Sequence, residues 1–210
     1  MTISLPRSSL NPPQLPQDAS CSIYTYLTLP RGIFGDKYQL STTDLLFLQS
    51  HNLVSLHAVA GETDLEAPDW VVPRWGSSWL FELATPAGQD LPEHWNVTIP
   101  LHLRYLRPSE SGYRPSAVPW PVVFWACTTA VKTDMGGNPF DRVNLGWESL
   151  FRPQTTFYQL HPSGAKDDRL VEELRVPVLK LKEGDSIFQA RVIELSTVVV
   201  ITLGLVWVLW

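Results

Sequence analysis

Charge is scarce in this chain. Asp, Glu, Lys and Arg make up 18% of its 210 residues, against about a quarter in ordinary soluble domains. The 16 basic residues form no cluster and the net charge is −5, so nucleic-acid binding has no electrostatic footing. Cysteine is nearly missing too. Cys21 and Cys127 are the only two, and without a CxxC the ligand set for zinc or dithiol chemistry is lacking. Two readings of the pair stand: two buried thiols, or one long-range disulfide, which needs an oxidising compartment. Glycine numbers 12 against 18 prolines, which favours short, stiff connections over long helices. None of the five histidines belongs to an HExxH, and there is no GxSxG, P-loop or GxGxxG. No catalytic, metal-binding or cofactor-binding residue is therefore assigned, and no cofactor is expected.

What is present is hydrophobic and aromatic, with nine tryptophans. The chain is organised around Trp95 to Cys127. Val97, Ile99, Leu101, Leu103 and Tyr105 alternate with Thr98, Pro100, His102 and Arg104, the period of a strand with one buried face. After a turn-rich link, Val122 to Cys127 is apolar throughout, which suits a strand buried on both faces. Cys21 to Leu29, Trp79 to Leu83, Thr155 to Leu160, Leu174 to Val178 and Ile187 to Ile193 are further strand candidates. Many short strands at close turn spacing predict an all-β, β-sandwich-like domain. Thr42 or Thr43, followed by Asp44, predicts the cap of a short helix, so one or two short helices are expected. Asn52 to Ala58 reads equally as helix or strand. DMGGN (134–138) and HPSG (161–164) read as turns.

The ends differ from the middle. Residues 1–19 are polar and proline-rich, without the charged start and apolar run of a signal peptide; they are read as a disordered lead-in. Residues 20–194 are read as the β domain. Residues 195–210 hold no charge and are read as a C-terminal transmembrane segment. Sixteen uncharged residues fall slightly short of a span of about 20, so a truncated anchor is expected.

Three groups of residues carry candidate roles. The loop Gly61 to Trp70 holds four carboxylates, Glu62, Asp64, Glu66 and Asp69. Asp64-Leu65-Glu66 has the spacing that holds a divalent cation with a sugar nucleotide, and carboxylate oxygens suit hard cations; a solvated loop is the plainer reading. His102 and Arg104 share the polar face of the central strand, placed to meet a partner's acidic group. Asn96-Val97-Thr98 is the one sequon not blocked by proline.

These stretches bear a family resemblance. NVTIPLHLRY (96–105), GY (112–113) and VPWPVVFWAC (118–127) resemble the signature of the PIG-X family, and DKYQL (36–40) and GETDLEAPDW (61–70) resemble its fungal branch. The likeness covers about Cys21 to Trp210. It implies an accessory, non-catalytic subunit of glycosylphosphatidylinositol (GPI) mannosyltransferase I. Such a subunit is anchored in the endoplasmic reticulum membrane by a C-terminal span, with a lumenal, glycosylated domain. It stabilises the PIG-M-type catalytic subunit, which transfers the first mannose from dolichol-phosphate mannose. The fungal homologue is also linked to folding of secretory proteins. Fungal members carry a longer N-terminal region, so truncation is expected at that end too. On this reading Asn96 carries a glycan, and Asp64, Glu66, Asp69, His102 and Arg104 are candidate partner contacts. The rival expectations are a metal-dependent glycosyl or phosphoryl transferase using Asp64 and Glu66, and a lipid-anchored surface protein cleaved at Gly184-Asp185-Ser186.

Overall fold

A computed structural model describes residues 1–13, 19–86, 91–130, 137–141, 143–160, 170–181 and 185–209. The DMGGN turn, apart from residues 137 and 138, and the HPSG turn lie outside the described residues, as do Gly184 and Trp210. By contacts the chain divides into two units, one of residues 1–105 and 116–174, the other of residues 106–115 and 175–210.

The first unit is antiparallel β-structure. Its strands are β1 (Thr2–Pro6), β2 (Ser20–Pro30), β3 (Ile33–Phe34), β4 (Leu53–Gly61), β5 (Trp75–Leu83), β6 (His94–Thr98), β7 (His102–Leu103), β8 (Tyr113–Pro119), β9 (Val122–Thr128), β10 (Thr155–Leu160) and β11 (Val171–Pro177). The last residues of β11 and the first of β8 belong to the second unit. A five-stranded sheet in the order β10-β9-β2-β5-β4 forms the centre. The pairs β1-β6 and β3-β7 are separate two-stranded sheets, and β8 pairs with β11.

Alternation decides what each face of the central sheet holds. Ile23, Leu27, Trp79, Phe81, Val123 and Trp125 pack on one face with Ile3 and Leu5 of β1, Val97 of β6 and Ile33 of β3. The two small sheets are thus the second layer. Tyr24, Tyr26, Leu80 and Phe124 face the other way, against Phe140, Trp147 and Phe157. Phe124, Phe140, Phe151 and Phe157 meet one another edge-on or stacked at centroid distances of 5.1–6.3 Å. β2 and β9 are therefore buried on both faces, which for β9 the unbroken apolar run of Val122 to Cys127 predicts. The all-β expectation holds.

Several local expectations need correction. Residues 1–19 are not all a lead-in: Thr2–Pro6 is a strand in register with β6, Ile3 opposite Val97 and Leu5 opposite Trp95. Ile3 and Leu5 are 7% and 5% exposed, so a five-residue alternation suffices when it meets a core. The central alternation also stops early. Val97 and Ile99 are buried, but Leu103 and Tyr105 are exposed and Arg104 is buried. Pro100 cannot donate to a ladder; the chain leaves β6 there and re-enters as β7 with its faces exchanged.

The short helices are α1 (Lys37–Leu40) and α2 (Leu45–His51). Asp36 caps α1, and Asp44, rather than Thr42 or Thr43, caps α2 by accepting from the Leu46 N–H. Thr42 accepts from the Asp44 N–H one step earlier. Asn52 ends α2 at φ 56°, a left-handed position that asparagine tolerates, and β4 follows at once.

In the second unit, the Ser109 N–H donates to the Leu179 carbonyl and the Val178 N–H to the Gly112 carbonyl. Gly112 has φ +76°, which suits glycine in this tight turn. The strand expected over Ile187 to Ile193 is instead part of α3 (Asp185–Leu209), a helix of 25 residues. Its apolar stretch, Arg191–Leu209, is 19 residues long. At 1.5 Å per residue that is about 28 Å, close to the hydrocarbon thickness of a bilayer. The candidate span therefore begins before residue 195.

Candidate partner-docking site

The acidic loop and the His102–Arg104 segment lie far apart in sequence, and Arg104 joins them. The Arg104 N–H bonds the Gly32 carbonyl at 2.9 Å, which fixes its strand beside β3. Its guanidinium lies over the Phe34 ring at 4.6 Å and donates through one nitrogen to the carbonyls of Asp64 (2.6 Å) and Ala67 (2.8 Å). Arg104 is 6% exposed. Burial lowers its pKa from the ordinary value, while Glu62 and then Asp64 pull it back up; guanidinium remains a cation in proteins.

The loop is held at its ends as well. The Glu62 N–H donates to the Gly76 carbonyl at 2.6 Å. The Asp64 N–H donates to the Glu62 carboxylate and the Glu66 N–H to the Asp64 carboxylate. Gly61 has φ +88°, and a Cβ there would lie 2.5 Å from the Gly76 carbonyl oxygen, so the hinge position admits only glycine without rearrangement. Asp69 is buried and lies 3.8 Å from the Arg31 guanidinium.

The result is a fixed ridge. Asp64 and Glu66 face solvent, beside exposed Leu65, Trp70 and Val71. Among the described residues no three His, Cys, Asp or Glu side chains converge on a metal position. The Asp64 carboxylate is engaged in closing a backbone turn. Carboxylates next to exposed apolar side chains form a surface that complements a basic, partly apolar peptide.

Of the five candidate contact residues, Asp64 and Glu66 are presented outward. His102 is exposed, with its ring 5.4 Å from the Phe34 ring. Arg104 is buried beneath the loop and holds it, and Asp69, within the loop, is buried beside Arg31. Phe34 and Arg31, which position Arg104 and Asp69, escaped the sequence reading; a Pro-Arg-Gly break before a two-residue strand carries no signal of its own.

Asn96 stands exposed on β6 opposite Ser4, and its carbonyl accepts from the Asn52 side-chain amide at 2.8 Å. Cys21 and Cys127, directly opposed on β2 and β9, are joined as a disulfide with Cα atoms 4.1 Å apart.

The PIG-X / PBN1 family model matches residues 1–210. The chain belongs to the PIG-X / PBN1 family. Its family relatives include Protein pbn1 of Aspergillus oryzae, 72% identical over the whole of this chain and 38% of the relative. Protein pbn1 of Aspergillus fumigatus is 70% identical over all of the chain and 43% of the relative. Protein pbn1 of Neurospora crassa is 42% identical over all of the chain and 40% of the relative. The chain thus spans about two-fifths of the length of these PBN1 proteins. No solved structure matches it.

Proposed function

We propose that the chain is a non-catalytic, stabilising subunit of GPI mannosyltransferase I in the endoplasmic reticulum membrane. It supports transfer of the first mannose to the GPI-anchor precursor by holding a PIG-M-type catalytic subunit. The observation that carries this is the family match over all 210 residues. The physical layout favours it. A lipid-linked donor reacts beside the bilayer, where an active site needs several enclosing spans. A β domain followed by an apolar helix, Arg191–Leu209, is suited to brace such an enzyme. The Cys21–Cys127 disulfide favours the oxidising, lumenal side, where Asn96 would meet the glycosylation machinery. The Asp64–Val71 ridge is the surface for a lumenal basic segment of the partner.

The test is removal and replacement in a fungal cell. Loss of the chain should lower both the abundance of the PIG-M-type subunit and the first mannosylation, and the intact chain should restore them. The double variant Asp64→Lys/Glu66→Lys should restore them poorly while folding normally. Unchanged catalytic-subunit abundance after loss of the chain would reject the proposal.

A further inference from the structure

We infer that the free edge of β1 is a docking strand for an extended peptide of another protein. The terminal amine of Met1 donates to the Ile99 carbonyl at 2.8 Å, the Ile99 N–H returns a bond to the Met1 carbonyl at 2.8 Å, and the Arg7 N–H donates to the Glu93 carbonyl at 2.9 Å. These bonds fix the parity of the ladder. Met1, Ile3, Leu5 and Arg7 turn their backbone groups toward β6, so Thr2, Ser4 and Pro6 turn theirs away. The outward edge carries the N–H groups of Thr2 and Ser4 and the carbonyls of Thr2, Ser4 and Pro6. β1 pairs with β6 alone among the described strands. Pro6, with no N–H, falls where an edge tolerates it.

That edge borders an apolar groove of about 570 Å³. All of Thr2–Pro6 line it and no residue of β6 does, so it runs along the unpaired side. Leu103, Val118, Trp120 and Leu174 give it an apolar wall, and Glu172 is the one carboxylate lining it among the described residues. A lipid chain would fill the volume yet leave the row of donors and acceptors unmatched. A strand added to β1 satisfies both: backbone groups pair along the edge and alternate side chains enter the groove. The occupant is an extended segment of about five residues, apolar at alternate positions, with a basic residue opposite Glu172 by charge complementarity. This goes beyond the accessory role proposed above and does not require that the partner be a mannosyltransferase.

The full chain in detergent micelles is titrated with the end-capped heptapeptide Lys-Thr-Val-Thr-Val-Thr-Val, followed by tryptophan fluorescence. Two comparison probes are the same peptide N-methylated at alternate residues and palmitate. Saturable binding of the plain peptide is expected, weakened at least about tenfold by N-methylation, which is the loss expected for even one backbone hydrogen bond. Ser4→Pro, which removes an edge N–H outside the β1-β6 ladder, should weaken it similarly without shifting the melting temperature. The N-methyl probe decides the matter even where Ser4→Pro disturbs folding. Equal binding of the N-methylated peptide, binding of palmitate alone, or no binding of the plain peptide would overturn the inference.

Discussion

Arg104 shows how one side chain fixes a loop of ten residues. Its two bonds pair the part-buried carbonyls of Asp64 and Ala67, backbone groups that are costly to leave without a partner away from water. Arg104→Met keeps the packing over Phe34 and removes both donors. It should cost about 2 kcal/mol, read as a lowered urea midpoint, and should expose Gly61 to Trp70 to limited proteolysis. Gly61→Ala should cost at least as much, about 2 kcal/mol, because it combines a positive φ with a steric clash on backbone. Little of this was legible beforehand. Counting alternate residues put Arg104 on a wet face; only the exchange of faces after Pro100, which no period-two count contains, turns it inward. Asp44 was read as a charge near a helix start, and its actual role as the cap lies one position beyond the threonines that propensity favours equally.

Among the elements, β9 was the most legible, because a run apolar at every position leaves few alternatives to a doubly buried strand; β2 was legible as a strand from its alternation, but its burial on both faces was not. β1 and α3 were the least. The first is an alternation too short to stand out among prolines; the second mixes charged residues with the start of an apolar run that only helical continuity unites. The disulfide belongs to this scale. Reducing it, or replacing both cysteines by serine, should lower stability by about 2–4 kcal/mol on the loop-closure account, measured as the shift in urea midpoint with and without reductant. A pH effect belongs here too, since Tyr24 sits where β2 meets the aromatic layer. Burial first, and then the charge of Glu82, raises its phenol above the ordinary 10.0, against a smaller opposing effect from Ser22. The folded state thus keeps a proton that the unfolded chain gives up, and stability falls as pH climbs past about 10. Tyr24→Phe should lose less stability than the parent between pH 9 and 11.

For the whole molecule the prediction is one of sidedness. In a cell a glycosidase-sensitive gel shift, lost in Asn96→Gln, should place the β domain in the lumen; an unmodified chain would count against that placement. Removing residues 195–210 should release the chain from membranes on alkaline extraction, since the remaining helix no longer spans. The sequence carried the all-β class and the apolar character of the C-terminal end because both rest on periodicity and run length, though not where the final helix starts. It did not carry the groove along β1 or the ridge held by Arg104, since each is assembled from segments that meet only in three dimensions.

The bond between Cys21 and Cys127 has a consequence for how the chain is made. The two positions are 106 residues apart, yet they face each other on adjacent strands. On the ribosome, β2 emerges with its apolar residues exposed and one flank empty until β9 follows. A cell that makes this protein must keep an unfinished, sticky strand from meeting the wrong neighbour for the time it takes to add about a hundred residues, on the order of ten seconds at usual rates.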